Sequence, residues 1–134
     1  MKVILDTNVL ISGIFFSGPP FEILNAWKHS QLQIVLTKEI LEEYKRVAES
    51  LSEKFPTIYI LPIIELLTIH SHFIDAEDIS LSVCDDPDDD KFIECAVASN
   101  TKIIVSGDKH LLKITGYQGI TVLKPREFVD NYLQ

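Results

Sequence analysis

Four short runs in this chain are mostly apolar and lack a polar–apolar alternation: "KVIL" (2–5), "QIVLT" (33–37), the centre of "TKIIVSGD" (101–108) and "GITVL" (119–123). Strands of a sheet with one wet face alternate apolar and polar residues. Strands without that alternation are covered on both faces, as in parallel sheets whose connections are helices. The intervening segments carry helical patterning. One helix is expected through "FEILNAWKHS" after Pro20, which suits a first helical turn. Another runs through "KEILEEYKRVAESL", with Thr37 as its N-cap. "PTIYILPIIELLTIHSHF" reads as one or two helices, with Pro62 allowing a break. Residues 88–100, "KHLLKIT" and "KPREFVDNYL", the last opened by Pro125, complete the set, and "FIDAEDISLSV" has room for one further short strand. This alternation specifies an α/β fold with a mostly parallel central sheet. At 134 residues, without a linker, internal repeat or low-complexity tract, the chain is expected to form one domain over 1–134.

Composition narrows the function classes. The net charge is −8 and no long basic run exists, which argues against a sequence-specific DNA-binding module. It leaves open an enzyme that meets phosphates through bound cations. Cys84 and Cys95, the only cysteines, fit neither a disulfide framework nor a zinc spacing and read as packing thiols. The apolar N-terminus is broken by Asp6, Thr7 and Asn8, and the segment around 58–69 by Pro62 and Glu65. No membrane segment is therefore expected, and a soluble, cytoplasmic protein is the default.

Ligands of parallel sheets sit beyond the carboxyl ends of the strands. Asp6 directly follows the first strand, and Asp108 follows "IIVS" by one glycine, so both belong to the same sheet edge. At about 100° per residue, Glu42 points away from the apolar stripe of its helix, whereas Glu43 lies on the flank and can reach inward. "SVCDDPDDDKFIECAVASN" (82–100) crowds five aspartates into positions 85–90. There Asp89 falls in line with Phe92, Ile93, Ala96 and Val97, and Asp90 about 90° to the side. Asp86 or Asp88 can cap the helix start. A calcium loop beginning at Asp86 fails, because Lys91 and Val97 stand where glycine and glutamate are needed. Carboxylates converging on one edge repel one another, and a divalent cation relieves that conflict. An all-oxygen donor set suits Mg²⁺ or Mn²⁺.

In order along the chain, "ILDTNVLISG", "EILEEYKRV", "DPDDDKFIECAVA" and "IIVSGDKHLL" resemble the PIN-domain family of metal-dependent ribonucleases. The similarity is greatest to its prokaryotic branch of toxins from toxin–antitoxin systems, which "PREFV" also fits. The resemblance covers nearly the whole chain. It implies a three-layer α/β/α sandwich and Mg²⁺- or Mn²⁺-dependent cleavage of single-stranded RNA. By position, Asp6, Glu43, Asp89 and Asp108 match the family's acidic quartet. Asn8 matches the polar residue supporting the first aspartate, and Ser106 a small hydroxyl position before the last acid, where threonine is more usual. Asp90 is an acidic neighbour that leaves the third position ambiguous by one residue, and Asp86 is a candidate outer ligand. The expected chemistry is in-line attack by metal-activated water, leaving a 5′ phosphate and needing neither the ribose 2′-OH nor a histidine. Lys91, Lys109 and His110 are candidates for guiding the RNA strand. Expected partners are single-stranded RNA, an antitoxin protein and a second copy of the chain, the last from the apolar surface of residues 56–69.

Other features carry less. His70 and His72, two apart, do not share a helix face, and Trp27 and the Phe15–Phe16 pair are core or interface residues before they are base-stacking ones. Rival readings are a phosphatase that begins with a strand and an aspartate, which would need an aspartate where Asn8 stands, and a phosphoacceptor signalling domain, which the distant Glu43 fits poorly. The remaining rival is a catalytically silent PIN-like binding protein, which would be marked by a missing quartet acid.

Overall fold

A computed structural model describes residues 1–133. Five strands, β1 (Lys2–Leu5), β2 (Gln33–Leu36), β3 (His72–Phe73), β4 (Ile103–Val105) and β5 (Thr121–Leu123), form one sheet in the order β3-β2-β1-β4-β5. Every pairing is parallel, with Lys2 opposite Gln33 and Ile4 opposite Ile104. The helices are α1 (Thr7–Phe15), α2 (Pro19–Lys28), α3 (Lys38–Ser52), α4 (Leu61–His70), α5 (Asp90–Ser99), α6 (Lys109–Leu112) and α7 (Pro125–Tyr132). The layers are α/β/α. Helix α1 packs on α2 and α3, and α2 on α7, while α5 lies against β1, β2 and β4.

Val3, Ile4, Leu5, Ile34, Val35, Leu36, Ile104 and Val105 are all buried, because helices cover both faces of the short central strands. The chain leaves β1 toward β2 and β3 on one side, then returns to add β4 and β5 on the other. The order therefore reverses at β1 and β4, which opens a crevice at their carboxyl ends.

Local chemistry sets the element boundaries. The Thr37 hydroxyl accepts from the Ile40 amide at 3.1 Å and starts α3. Pro20 and Pro125 lie in the first turns of α2 and α7, where a missing amide proton is harmless. Asn100, at φ 56°, ends α5. Gly13 is required for the close approach of α1 and α2, since a Cβ there would lie 2.8 Å from the Pro20 carbonyl oxygen.

Two expectations are corrected. Pro62 does not interrupt a helix but sits in the first turn of α4, preceded by turns from residue 56. The edge strand β3 is His72–Phe73, at the end of the stretch read as helical; of the segment 73–83, with room for a short strand, only Phe73 lies in one and residues 74–83 form none. The two side chains of β3 are exposed, so no burial pattern announced it. Among the described residues no single helix is long and apolar enough to cross a membrane; α1 and α2, apolar together, meet at 87° and supply much of the core.

Candidate functional site

Asp6 is placed by the sheet itself. Its amide donates to Val105 O at 3.0 Å, extending the β1–β4 ladder by one bond, and its carbonyl accepts from Val9 and Leu10 in the first turn of α1. One residue past β4, Ser106 is fully buried. Its hydroxyl donates to Asp6 Oδ2 at 2.7 Å and accepts from the Asp108 amide at 2.9 Å. Asp108 in turn caps α6, accepting from the His110 amide at 2.9 Å. A single hydroxyl thus ties together the two acids that follow the adjacent strands.

Glu43 reaches the same edge from α3. The Tyr44 hydroxyl, in the core, donates to Leu5 O at the end of β1, which fixes α3 against that strand. The neighbouring Glu43 is buried. Its Oε2 accepts from the Thr7 hydroxyl, and its Oε1 accepts from Lys91 Nζ at 2.5 Å. Arg46 lies farther off, at 3.8 Å. Glu42, as its helical direction requires, is exposed.

The aspartate run divides its tasks. Asp86 accepts from the Asp88 amide at 3.0 Å and caps the 3-10 turn Pro87–Asp89 that leads into α5. Asp88, exposed, accepts from Lys91 Nζ at 2.9 Å. Asp90 is buried, but its Oδ1 accepts from the amides of Val83 and Cys84 at 3.0 and 2.8 Å. With Glu94, which accepts from Leu81 N at 2.9 Å, it holds the irregular segment before the turn against α5. Asp89 is 8% exposed, and its Oδ2 is buried without a hydrogen-bond partner among the described residues.

The electrostatics follow from this crowding. Burial pushes the Asp89 carboxyl from an ordinary 3.8 up to about 7, reinforced by the nearby Asp108, Asp6 and Asp86. Burial also raises Asp6, opposed by the bond from Ser106 and reinforced by Asp108 and Glu43. Asp88 is held below its ordinary value by Lys91. Burial alone would lower Lys91, but Glu43 and Asp88 hold it above the usual lysine range. Both thiols are raised by burial to about 12, which leaves them inert.

The fold therefore brings Asp6, Asp89 and Asp108 into mutual electrostatic reach, with Glu43 beside Asp6. Asn8 is exposed, and the hydroxyl bonded to Asp6 is that of Ser106. Lys109 and His110 are exposed near the edge, with His110 Nδ1 3.6 Å and Lys113 Nζ 2.9 Å from Asp85. One participant was not identified from sequence, and another was given a different role. Thr7 is hidden in the "DTN" triplet, where only its position one residue past the strand marks it. Lys91, taken for a strand guide, is a buried ion-pair partner; its spacing of three from Asp88 was the available signal.

The donor chemistry fits a hard divalent cation. The acids offer oxygen only, they repel one another, and one buried carboxylate oxygen has no partner. The cluster is open rather than drawn tight: among the described residues no three acids, histidines or cysteines already form a chelating group.

Comparison with known proteins bears on the family of the chain. The model of the PIN domain matches residues 2–110, a span that includes all four acids. An uncharacterized protein of Methanocaldococcus jannaschii is 31% identical, with the alignment covering 98% of this chain and 92% of that protein. From the parallel sheet, the acids at its carboxyl edge and the matched span, the chain belongs to the PIN-domain family, whose members are generally nucleases.

Proposed function

We propose that the protein is an Mg²⁺- or Mn²⁺-dependent endoribonuclease that cleaves single-stranded RNA and serves as the toxin of a toxin–antitoxin pair. The observation that carries the reading is the buried, unpartnered Oδ2 of Asp89 among Asp6 and Asp108, at the crevice where a parallel sheet binds its ligands. Asp6, Asp89 and Asp108 would hold the ion, with Glu43 as the fourth acid. A bound divalent ion would supply positive charge against a phosphodiester and activation of water near neutral pH.

The chain's own residues do the positioning. Ser106 keeps Asp6 oriented and, through the Asp108 amide, sets the start of α6. Thr7 fixes the Glu43 carboxylate. The exposed Lys109 stands close to the edge and is available to a phosphate of the incoming strand. With a net charge of −8, long-range attraction of RNA is absent, so binding depends on the ion and on such local cations.

The test is cleavage of end-labelled single-stranded RNA in Mg²⁺, in Mn²⁺ and in EDTA, with Asp6→Asn and Asp89→Asn in parallel. Cleavage that needs the ion, yields 5′-phosphate ends and is lost in both variants supports the reading. A folded protein that takes up Mn²⁺ and cleaves no RNA would be a binding module instead. The exposed Tyr59, Leu61 and Ile69 around α4 support a protein-binding role for that face, either for a second copy or for the antitoxin. Sedimentation of the protein alone distinguishes the two.

A further inference from the structure

Lys91 is the most unusual residue of the site. Its side chain is 7% exposed, and lysine is almost never that buried unless paired. Both of its partners are carboxylates: Glu43 Oε1 at 2.5 Å and Asp88 Oδ1 at 2.9 Å. The second oxygen of Glu43 is taken by Thr7. In this state both Glu43 oxygens are engaged, whereas Asp89 keeps an oxygen with no partner. The four site acids are therefore not equivalent toward a cation.

Lys91 also borders open space. It lines a cleft of about 680 Å³ together with Thr37, Glu42, Phe73 and Glu94. Lys91 is thus shared between the site acid Glu43, which its ammonium contacts, and the lining of a cleft that contains other carboxylates. A buried ion pair is not in general a gain in stability over well-packed apolar residues. Fold stability alone therefore does not account for a charge at this position.

We propose that Lys91 is a tethered cation that holds Glu43 in the metal-free protein and competes with the divalent ion for it. An ion entering against Asp6, Asp89 and Asp108 finds Glu43 already neutralised. Glu43 joins it only when the ammonium withdraws toward Asp88 and the adjoining cleft. Lys91 is thus a positioning residue that sets how tightly, and with how many acids, the ion is held. The inference rests on the metal-site reading above.

Binding of Mn²⁺ alone tests it, followed by electron paramagnetic resonance of the free ion. Wild type is compared with Lys91→Met and Lys91→Arg, and each is melted in EDTA. Removal of a competing positive charge beside the site is expected to tighten Mn²⁺ binding about tenfold in Lys91→Met. The same variant melts lower in EDTA, because Glu43 is left buried without its main partner. Lys91→Arg, which keeps the charge, stays near wild-type affinity. Lys91→Gln gives the same readout should the methionine variant fail to fold. Unchanged or weaker Mn²⁺ binding in the folded neutral variants would overturn the role of Lys91 and leave the ion site standing. No Mn²⁺ uptake by wild type or any variant would overturn the ion site and this proposal with it.

Discussion

Substitution of Asp89 by asparagine should make the metal-free protein more stable while removing its response to metal. The isosteric change deletes one charge and little else. In the folded chain the Asp89 carboxyl is raised from 3.8 to about 7, chiefly by burial and then by Asp108. A carboxyl raised on folding stabilises the native state below its unfolded value. That contribution disappears as pH rises through the folded value, here between about pH 4 and 7. A shift of this size corresponds to about 4 kcal/mol for a group wholly shielded from water. Asp89 sits at the mouth of a crevice, where solvent screens it, so about 1–2 kcal/mol is the realistic figure. Asp89→Asn should therefore gain roughly that much at about pH 8 in EDTA, a rise in melting temperature of about 3–6 °C for a domain of this size. At about pH 3, below the unfolded value, the gain should nearly vanish, since Asp89 is then protonated in both the folded and the unfolded chain. Mn²⁺ should raise the melting temperature of wild type and leave the variant unmoved. Thermal denaturation followed by circular dichroism at the two pH values checks this. A gain equal at both, or a loss at the higher pH, would refute the reasoning that repulsion at Asp89 strains the fold.

Three other substitutions separate the parts of the site. Ser106→Ala removes the hydroxyl donor to buried Asp6; it should lower metal-free stability by about 1–2 kcal/mol and move metal-dependent RNA cleavage to higher pH, read from the pH–rate profile. Asp90→Ala frees the amides of Val83 and Cys84 and should lower stability by about 2–3 kcal/mol. Mn²⁺ affinity should stay within a few-fold, and limited proteolysis should find residues 74–83 cut sooner. Tyr44→Phe deletes the bond to Leu5 O; it should destabilise by about 1–2 kcal/mol and weaken RNA cleavage through displacement of Glu43, measured as a fall in single-turnover rate.

The sequence discloses the central strands because Val3–Leu5, Ile34–Leu36 and Ile104–Val105 are buried on both faces, and burial of that kind leaves a continuous apolar run. It conceals β3, whose two residues point to solvent and pair along one edge only. Glu43 and Asp89 are legible as inward-facing because helical direction depends on local spacing alone. Asp90 is not, since its burial depends on amides of an irregular segment rather than on the apolar stripe of α5. Lys91 misleads for a related reason. A lysine in an acidic run reads as surface charge until α3 brings Glu43, 48 positions away, against it.

The bond between Ser106 and Asp6 spans 100 residues, and this separation bears on how long the native state lasts. The repelling acids come from the end of β1, from the start of α5 and from the start of α6 just past β4, and Asp6 is remote in the chain from the other two. While the chain is only partly assembled they are apart and hydrated, and their repulsion opposes nothing. The conflict arises only when the long loop closes. An ion that relieves it binds the closed arrangement and adds its binding free energy to that state, so it slows unfolding wherever the barrier lacks the assembled site. A divalent cation would then act as a timer on the finished molecule: chains that have lost it open sooner and become accessible to proteolysis, while loaded ones persist.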